Sequence, residues 1–335
     1  MNMKQWIEQM GQPGPKKSMP VLSFPCISLM GITVKELIND SSLQAKGMKM
    51  VADRVPSAAS VSMMDLSVEA EAFGAEVKIS DDEVPTVVGA IVTDEDEAND
   101  LQVPEVGAGR TGKYIEAIAE ACKLITDRPV FAGVIGPFSL AGRLMDVSEA
   151  MVNCLVEPDM VHTTMEKTTQ FLIEYIKAYK EKTGANGVVM AEPLAGLLSP
   201  DLAAEFSEPY VRRIIEAVQD ENFIVIYHNC GDNVLLMIDS ILRVGAAAYH
   251  FGNAISMKEM MEKVPADILC MGNVDPAGQF CNGTPESIRE ETLKIMEECC
   301  GYPNFAISSG CDIPPASKWE NIDAYFAAVD EFYSK

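Results

Sequence analysis

The feature that most constrains the fold is a regular alternation of short apolar runs with longer helical segments. From about residue 58, continuously apolar runs end in Gly, Asn, Asp or Pro, and amphipathic stretches separate them. Continuous hydrophobicity is typical of strands buried on both faces, as in a parallel sheet. The runs are AASVSMMD, VFAGVIGPF, GVVMAEP, FIVIYHNCG, AAAYHFGN, DILCMGNVDP and FAISSGCDIPP, and the weaker run PTVVGAIV is a candidate eighth strand.

The segments between these runs carry the signals of helix starts. Ser199-Pro200 and Thr284-Pro285 each place an N-cap residue before a Pro at the first helical position. About eight βα units with right-handed crossovers predict an α/β fold, a (β/α)8 TIM barrel over residues 58–335, with residues 1–57 as an N-terminal helical extension packed on it. The alternative is an open doubly wound sheet, but no GxGxxG or GxxxxGK[ST] loop follows the first strands.

Charge and composition exclude several classes of function. The net charge of −24 argues against nucleic-acid partners, because phosphate contacts need clustered Lys and Arg. No apolar run reaches the roughly 18 residues of a membrane helix, and the N-terminus does not resemble a signal peptide. We therefore predict a cytoplasmic protein with no membrane partner. Its nine cysteines are then expected to be reduced rather than to form a disulfide framework.

Ligand-type side chains gather at the predicted strand ends, which is where α/β barrels place their chemistry. His228 and Cys230 are two residues apart on an extended backbone and so point to the same side, and barrel closure brings Cys311 near them. One His and two Cys are typical of catalytic zinc, since three protein ligands leave the fourth position open. The same spacing also arises by chance in Cys-rich chains, but its position at strand ends favours a metal. The other candidates are Asp65, Glu192, Asn253, Asn273 and Asp275.

Two of these candidates are carboxylates that we predict to face the pocket as catalytic residues, Asp65 and Glu192. Glu192 is a candidate to fill the fourth zinc position when substrate is absent, since a carboxylate there would yield to an arriving thiolate. The alternative is that both carboxylates only support the ligands or bond to neighbouring backbone.

Over most of residues 58–333 the chain resembles the uroporphyrinogen decarboxylase superfamily, and within it the zinc-dependent methylcobamide:coenzyme M methyltransferases. The likeness lies in MMDLSVEAEAFGAEV, IGPFSLAGRL, IYHNCGDN, MGNVDP and ISSGCDIPPASKWENI. The resemblance implies a (β/α)8 barrel, with Zn2+ bound by His228, Cys230 and Cys311. It also implies a methylcobamide, a corrinoid carried on a separate small corrinoid-binding protein. Asn253, Asn273 and Asp275 are our candidates for residues that contact this cofactor.

The resemblance predicts transfer of a methyl group between the corrinoid and a zinc-activated thiol such as coenzyme M. One alternative is the demethylation of a methylated growth substrate onto the corrinoid protein. A non-catalytic barrel that binds a corrinoid protein is disfavoured by the intact set of metal ligands. The sequence does not identify the positive group that a sulfonate substrate requires.

Decarboxylation is the minority interpretation. The decarboxylases carry an Arg-rich segment near the N-terminus, whereas PCISLMGITVKEL contains no Arg and the first Arg in the chain is Arg54. The decarboxylases also carry a His in a Gly-His-Gly context near the end, where this chain has SSGCDIPP. Asp65 does fall where their catalytic Asp lies, which keeps the alternative open.

Overall fold

The structure is a computed structural model that describes residues 1–335. Its central sheet has seven parallel strands. All seven come from the predicted apolar runs, which confirms the α/β fold. The chain has nine strands in all, and β2 and β3 lie outside this sheet. The strands are β1 (Ser60–Val61), β2 (Glu76–Lys78), β3 (Thr86–Val88), β4 (Val130–Ile135), β5 (Gly187–Ala191), β6 (Ile224–Asn229), β7 (Ala248–Phe251), β8 (Leu269–Val274) and β9 (Phe305–Ser309). The sheet order is β1-β4-β5-β6-β7-β8-β9, and the sheet curls so that β1 and β9 are its two edges.

Helices follow the strands in the manner of a βα barrel. They are α1 (Met3–Met10), α2 (Cys26–Met30), α3 (Val34–Asn39), α4 (Ser41–Arg54), α5 (Val68–Ala72), α6 (Glu95–Asp100), α7 (Thr111–Leu124), α8 (Pro137–Met145), α9 (Val147–Val156), α10 (Pro158–Lys182), α11 (Pro200–Phe206), α12 (Glu208–Val218), α13 (Ile238–Arg243), α14 (Met257–Lys263), α15 (Pro285–Cys299) and α16 (Trp319–Ser334). Neither the length nor the hydropathy of any helix suffices to cross a membrane.

The two predicted helix starts are confirmed by their caps. The Ser199 hydroxyl accepts the Leu202 amide at the start of α11, and Thr284 forms a capping box with Ser287 at the start of α15. The helical segment after Ser199 is interrupted between α11 and α12, two residues before Pro209. A proline ring clashes with the carbonyl four residues earlier, so the helix restarts there instead of continuing.

An extended segment, residues 18–23, lies between the two sheet edges. The Met19 amide donates to the Ile307 carbonyl of β9 at 3.1 Å, and the Ala58 amide donates to the Ser18 carbonyl at 2.8 Å. The Ser23 hydroxyl donates to the Val61 carbonyl of β1. The segment therefore occupies the position of an eighth strand and closes the ring.

The prediction that PTVVGAIV supplies an eighth strand is wrong. Its residues 86–88 form β3, which pairs antiparallel with β2 in a separate two-stranded hairpin. Both strands of this hairpin are exposed or half-buried along their length, whereas the barrel strands are buried except at Gly133 of β4. A two-stranded hairpin has no second layer to cover it, so its weaker hydrophobicity fits this position.

The inside of the ring is a packed apolar core. Eighteen buried residues from the strands, from segment 18–23 and from α1 form one cluster there. Trp6 of α1 packs against Phe131 of β4 with ring centroids 5.7 Å apart. The Met3 and Lys4 amides donate to the Glu221 carbonyl, just before β6 begins. Helix α1 therefore covers the N-terminal end of the barrel and leaves the C-terminal end free for a site.

Candidate metal centre

The metal ligands predicted from sequence come together at the C-terminal ends of β6 and β9. His228 is the fifth residue of β6, Cys230 directly follows that strand, and Cys311 lies two residues after β9. Their ligand atoms all lie within 4.8 Å of one another. A tetrahedral zinc ion with metal–sulfur distances of about 2.3 Å holds its ligands roughly 3.7 Å apart, so only small shifts separate this geometry from a coordinated one.

The ligand set has the chemistry of a metal site. The Nε2 atom of His228 is buried and has no hydrogen-bond partner. Leaving a buried polar atom unpaired costs about 1–3 kcal/mol, so it needs an explanation. Two sulfurs and one imidazole nitrogen suit Zn2+, and three protein ligands leave a fourth position for substrate.

A chain of hydrogen bonds sets the orientation of His228. The Ser308 hydroxyl donates to the Met19 carbonyl at 2.6 Å, so its oxygen accepts the Nε2 proton of His250 at 2.7 Å. Burial, and secondarily the nearby His228, hold the pKa of His250 well below its ordinary value, so the ring is neutral. The Nδ1 proton of His228 is then shared between Nδ1 of His250 at 2.8 Å and the His250 carbonyl oxygen at 3.2 Å. This arrangement leaves the Nε2 lone pair of His228 free for a metal.

The backbone around Cys230 is fixed by close packing. Asn229 points away from the ligands, donating to the Tyr227 hydroxyl and accepting the Gly231 amide. A Cβ on Gly252 would lie 2.4 Å from the Cβ of Cys230, so only glycine fits beside this ligand. The position of the sulfur is therefore set by backbone packing.

The two cysteines form a coupled pair. The pKa of Cys230 is lowered because its sulfur accepts a hydrogen bond from Cys311. The same hydrogen bond, with burial, raises the pKa of Cys311 to about 12. Cys311 therefore keeps its proton as the donor to Cys230, and a bound cation would displace that proton.

A small cavity of about 70 Å³ opens beside the ligands. It is mostly apolar, and Asp312 is its one carboxylate; one carboxylate oxygen of Asp312 is buried without a partner. Burial, and secondarily the adjacent Cys311, raise the pKa of Asp312 well above its ordinary value. The lining residues are Val21, Met64, Leu66, Val189, Ala191, Pro193, His228, Cys230, Cys311 and Asp312.

Asp65 lies near this cavity but does not line it. Its carboxylate forms an ion pair with Arg110 and accepts hydrogen bonds from Tyr114 at 2.9 Å and Ser67 at 2.6 Å. Arg110 also pairs with Glu71 at 2.7 Å. The carboxylate is thus neutralised and fully committed within the protein, and a catalytic role for Asp65 stays a prediction.

Glu192 directly follows β5 but is not part of the metal cluster. Its carboxylate accepts the Phe138 amide at 2.8 Å and the Ser139 amide at 3.2 Å, at the start of α8. A Cβ on Gly136 would overlap this carboxylate. Burial raises the pKa of Glu192 to about 8, against the effect of these hydrogen bonds. The structure places Glu192 at a helix start, and its role as a fourth ligand stays a prediction.

The three candidate cofactor residues lie together in a separate cavity of about 350 Å³. Asn273 donates to the carbonyls of Gly252 and Ile255, and Asp275 accepts the amides that follow it at the start of the next turn. Asn253 is exposed at the same cavity. Their contact with a corrinoid also stays a prediction.

The architecture and site together define an α/β barrel with a cluster of one histidine and two cysteines, a candidate metal site, at the C-terminal ends of its strands. The sequence profile of the uroporphyrinogen decarboxylase (URO-D) family matches residues 20–332, and the chain belongs to that family. The family resemblance seen in the sequence is thereby confirmed.

The most similar relatives include both branches of the family. The methylcobamide:CoM methyltransferase MtbA of Methanosarcina acetivorans is 27% identical over 74% of this chain and 72% of its own length. The uroporphyrinogen decarboxylase of Coxiella burnetii is 26% identical over 84% of this chain and 79% of its own. A solved methyltransferase structure from Methanosarcina mazei superposes with a TM-score of 0.84 over 99% of both chains at 23% identity, which supports the barrel fold.

Proposed function

We propose that the protein is a zinc-dependent methyltransferase that moves a methyl group between a corrinoid on a partner protein and a small thiol such as coenzyme M. The observation that carries the proposal is the cluster of His228, Cys230 and Cys311 with its unpaired imidazole nitrogen. Two methyltransferases of Methanosarcina mazei, a methylcobamide:CoM enzyme and a methylated-thiol–coenzyme M enzyme, are among the relatives at 25–27% identity, which supports the same reaction class.

The metal ligands, His250 and the cavity lining have different roles in the proposed reaction. His228, Cys230 and Cys311 would hold the zinc, which when bound lowers the pKa of an incoming thiol and so supplies a nucleophile. The hydrogen-bond chain from His250 keeps His228 in the tautomer that binds metal. The apolar lining of the cavity excludes water from the sulfur, which strengthens a thiolate as a nucleophile.

Decarboxylation receives less support from the site. The carboxylate of Asp65 is held by Arg110 and does not line the cavity, so it is not free to bind a substrate there.

A protein-borne corrinoid requires a partner that docks at the C-terminal end of the barrel. Several large apolar side chains are exposed on segments that follow β4, β5 and β6. Leu155 on α9 is 73% exposed and Leu236 after β6 is 70% exposed. Exposed apolar side chains of this size favour a surface that a protein partner covers.

Metal analysis and a methyl-transfer assay test the proposal. The protein should contain about one zinc per chain, and Cys230→Ser or Cys311→Ser should lose most of it. Cys281→Ser, at a half-buried thiol outside the cluster, is the matched control and should retain the metal. With free methylcobalamin and a small thiol, the zinc-loaded protein should demethylate the cobalt, visible as a change in absorbance, and His228→Ala should abolish this.

Methyl transfer is tested in both directions, so that the direction of the reaction does not affect the conclusion. The assay is run forward from methylcobalamin and in reverse from a methylated thiol to reduced cobalamin. Full zinc retention in both cysteine variants would contradict the metal site. Absence of transfer in both directions, with every thiol and zinc-replete protein, would contradict methyl transfer.

A further inference from the structure

Arg143, in the last turn of α8, is a positive group close to the metal cavity. Its Nε atom is buried without a hydrogen-bond partner, and its guanidinium takes part in none of the ion pairs of the protein. Burial lowers the pKa of Arg143, and no neighbouring carboxylate opposes this. An unpaired, largely buried cation is costly, and such groups are typical of binding sites whose ligand supplies the opposite charge.

Arg143 lines a cavity of about 150 Å³ that adjoins the metal cavity. Met64 and Leu66 line both cavities, so the two spaces adjoin at these side chains. The outer wall is formed by the hairpin of β2 and β3, through Val84, Pro85 and Val87. No Asp or Glu lines this second cavity, so a bound anion would meet no repulsion from its walls.

The chain as a whole repels anions. With a net charge of −24, a negatively charged substrate needs a specific compensating cation close to where it binds. Arg110, a buried arginine nearby, forms ion pairs with Asp65 and Glu71, so its positive charge is already compensated. Arg143 therefore is the cation available to a ligand that reaches the metal cavity.

We propose that Arg143 forms an anion subsite that binds the sulfonate or carboxylate of the small thiol substrate, while the sulfur of that substrate lies in the metal cavity. This inference rests on the proposed function and specifies its substrate class: a thiol, or its methyl thioether, with a short chain ending in a singly charged oxyanion. The planar guanidinium matches the oxygen pairs of both groups. The two cavities, of about 70 Å³ and 150 Å³, suit a molecule of this size.

Ligand binding without turnover is the first test. Ethanesulfonate, which lacks a thiol, is titrated into the zinc-loaded protein by calorimetry, with ethyl methyl sulfone as the neutral analogue. Wild type should bind the sulfonate and not the sulfone, and Arg143→Gln should weaken sulfonate binding about 10- to 100-fold. Arg213→Gln removes the same charge from an exposed ion pair with Glu166 and should bind as wild type does. Equal binding by wild type and Arg143→Gln would overturn the proposal.

Kinetics with a series of thiols is the second test. Arg143→Gln should raise KM for 2-mercaptoethanesulfonate and 3-mercaptopropionate about 10- to 100-fold, and should change the KM for neutral 2-mercaptoethanol far less. Arg143→Lys keeps the positive charge but loses the planar guanidinium, so its KM values for the charged thiols should lie between those of wild type and Arg143→Gln. A rise confined to the KM for methylcobalamin would assign Arg143 to the corrinoid phosphate and overturn the thiol subsite.

The two tests separate this inference from the proposed function. Sulfonate binding that depends on Arg143, without methyl transfer to any thiol, would leave the subsite standing and refute the reaction. Methyl transfer at equal rates with charged and neutral thiols would support the reaction and refute the subsite. If Arg143→Gln is unfolded by circular dichroism, Arg143→Lys and the comparison of sulfonate with sulfone in wild type decide the matter.

Discussion

The hydrogen-bond chain behind His228 leads to a prediction about Ser308→Ala. This change removes the acceptor for the Nε2 proton of His250. A buried donor without an acceptor costs about 1–3 kcal/mol, and His250 can avoid this cost by moving its proton to Nδ1. That proton would then face Nδ1 of His228, which is 2.8 Å away. His228 in turn would have to carry its own proton on Nε2, the atom that a metal needs.

The magnitude follows from this competition between tautomers. Keeping the metal-binding tautomer of His228 in Ser308→Ala costs the same 1–3 kcal/mol, which corresponds to a zinc dissociation constant raised about 5- to 150-fold. Losses of this size are usual when a group that orients a metal-bound histidine is removed. Affinity is measured by competition with a chromophoric chelator, and the Co2+-substituted protein gives an independent absorption spectrum of the site.

The neighbouring Ser309 supplies a matched control. It is equally buried, and its hydroxyl accepts the Val21 amide at 3.0 Å instead of contacting a histidine. Ser309→Ala therefore removes the same atoms and one hydrogen bond from the same strand. We expect its zinc affinity to equal that of wild type. Equal losses of affinity in both variants, or no loss in Ser308→Ala, would refute the reasoning.

Two further predictions concern packing and pH. Gly252→Ala should displace Cys230 and sharply lower zinc affinity, because the new Cβ would lie 2.4 Å from that residue, whereas Gly301→Ala meets no atom within 4 Å and should have no effect. Retention of zinc by Gly252→Ala would contradict the close packing. Burial raises the pKa of Glu69 to about 8, so the folded chain keeps a proton that the unfolded chain releases above about pH 4–5. The free energy of unfolding therefore falls as pH rises from about 5 to 8, and Glu69→Gln should reduce this fall by roughly 2–4 kcal/mol in denaturant titrations. An unchanged slope would show that Glu69 is ionised in the folded protein.

The strands and metal ligands could be predicted from the sequence because both depend on local patterns. Each buried strand is one continuous apolar run, and the pair His228 and Cys230 shares a face by simple alternation. Segment 18–23 was harder to predict. Pro20 lies within it and Pro25 lies two residues after it, which suggests a break between helices, while its strand-like role depends on the two sheet edges that it joins.

Side-chain interactions between distant segments could not be predicted in this way. The role of His250 depends on its contacts with His228 of β6 and Ser308 of β9. The sequence of one strand does not predict which side chains of the other strands it contacts. Arg143 lies inside IGPFSLAGRL, where it is one polar residue of an amphipathic helix. Its significance comes from the lack of any carboxylate beside it, and that is a property of the assembled structure. Likewise, Asp65 ends an apolar run as a catalytic residue would, but Arg110 from a later helix start holds it.

The position of segment 18–23 has a consequence for the order in which the protein folds during synthesis. The amide of Met19 meets Ile307, and its carbonyl meets Ser308, so an early segment waits for almost 290 further residues before its partners exist. Pairing over such a separation is slow because loop closure must precede it. Until β9 leaves the ribosome, the side of segment 18–23 that faces β9 is an open edge that can pair with other chains. We therefore expect the nascent chain to depend on chaperones until the ring closes, and the histidine chain that prepares the metal site to be among the last contacts formed.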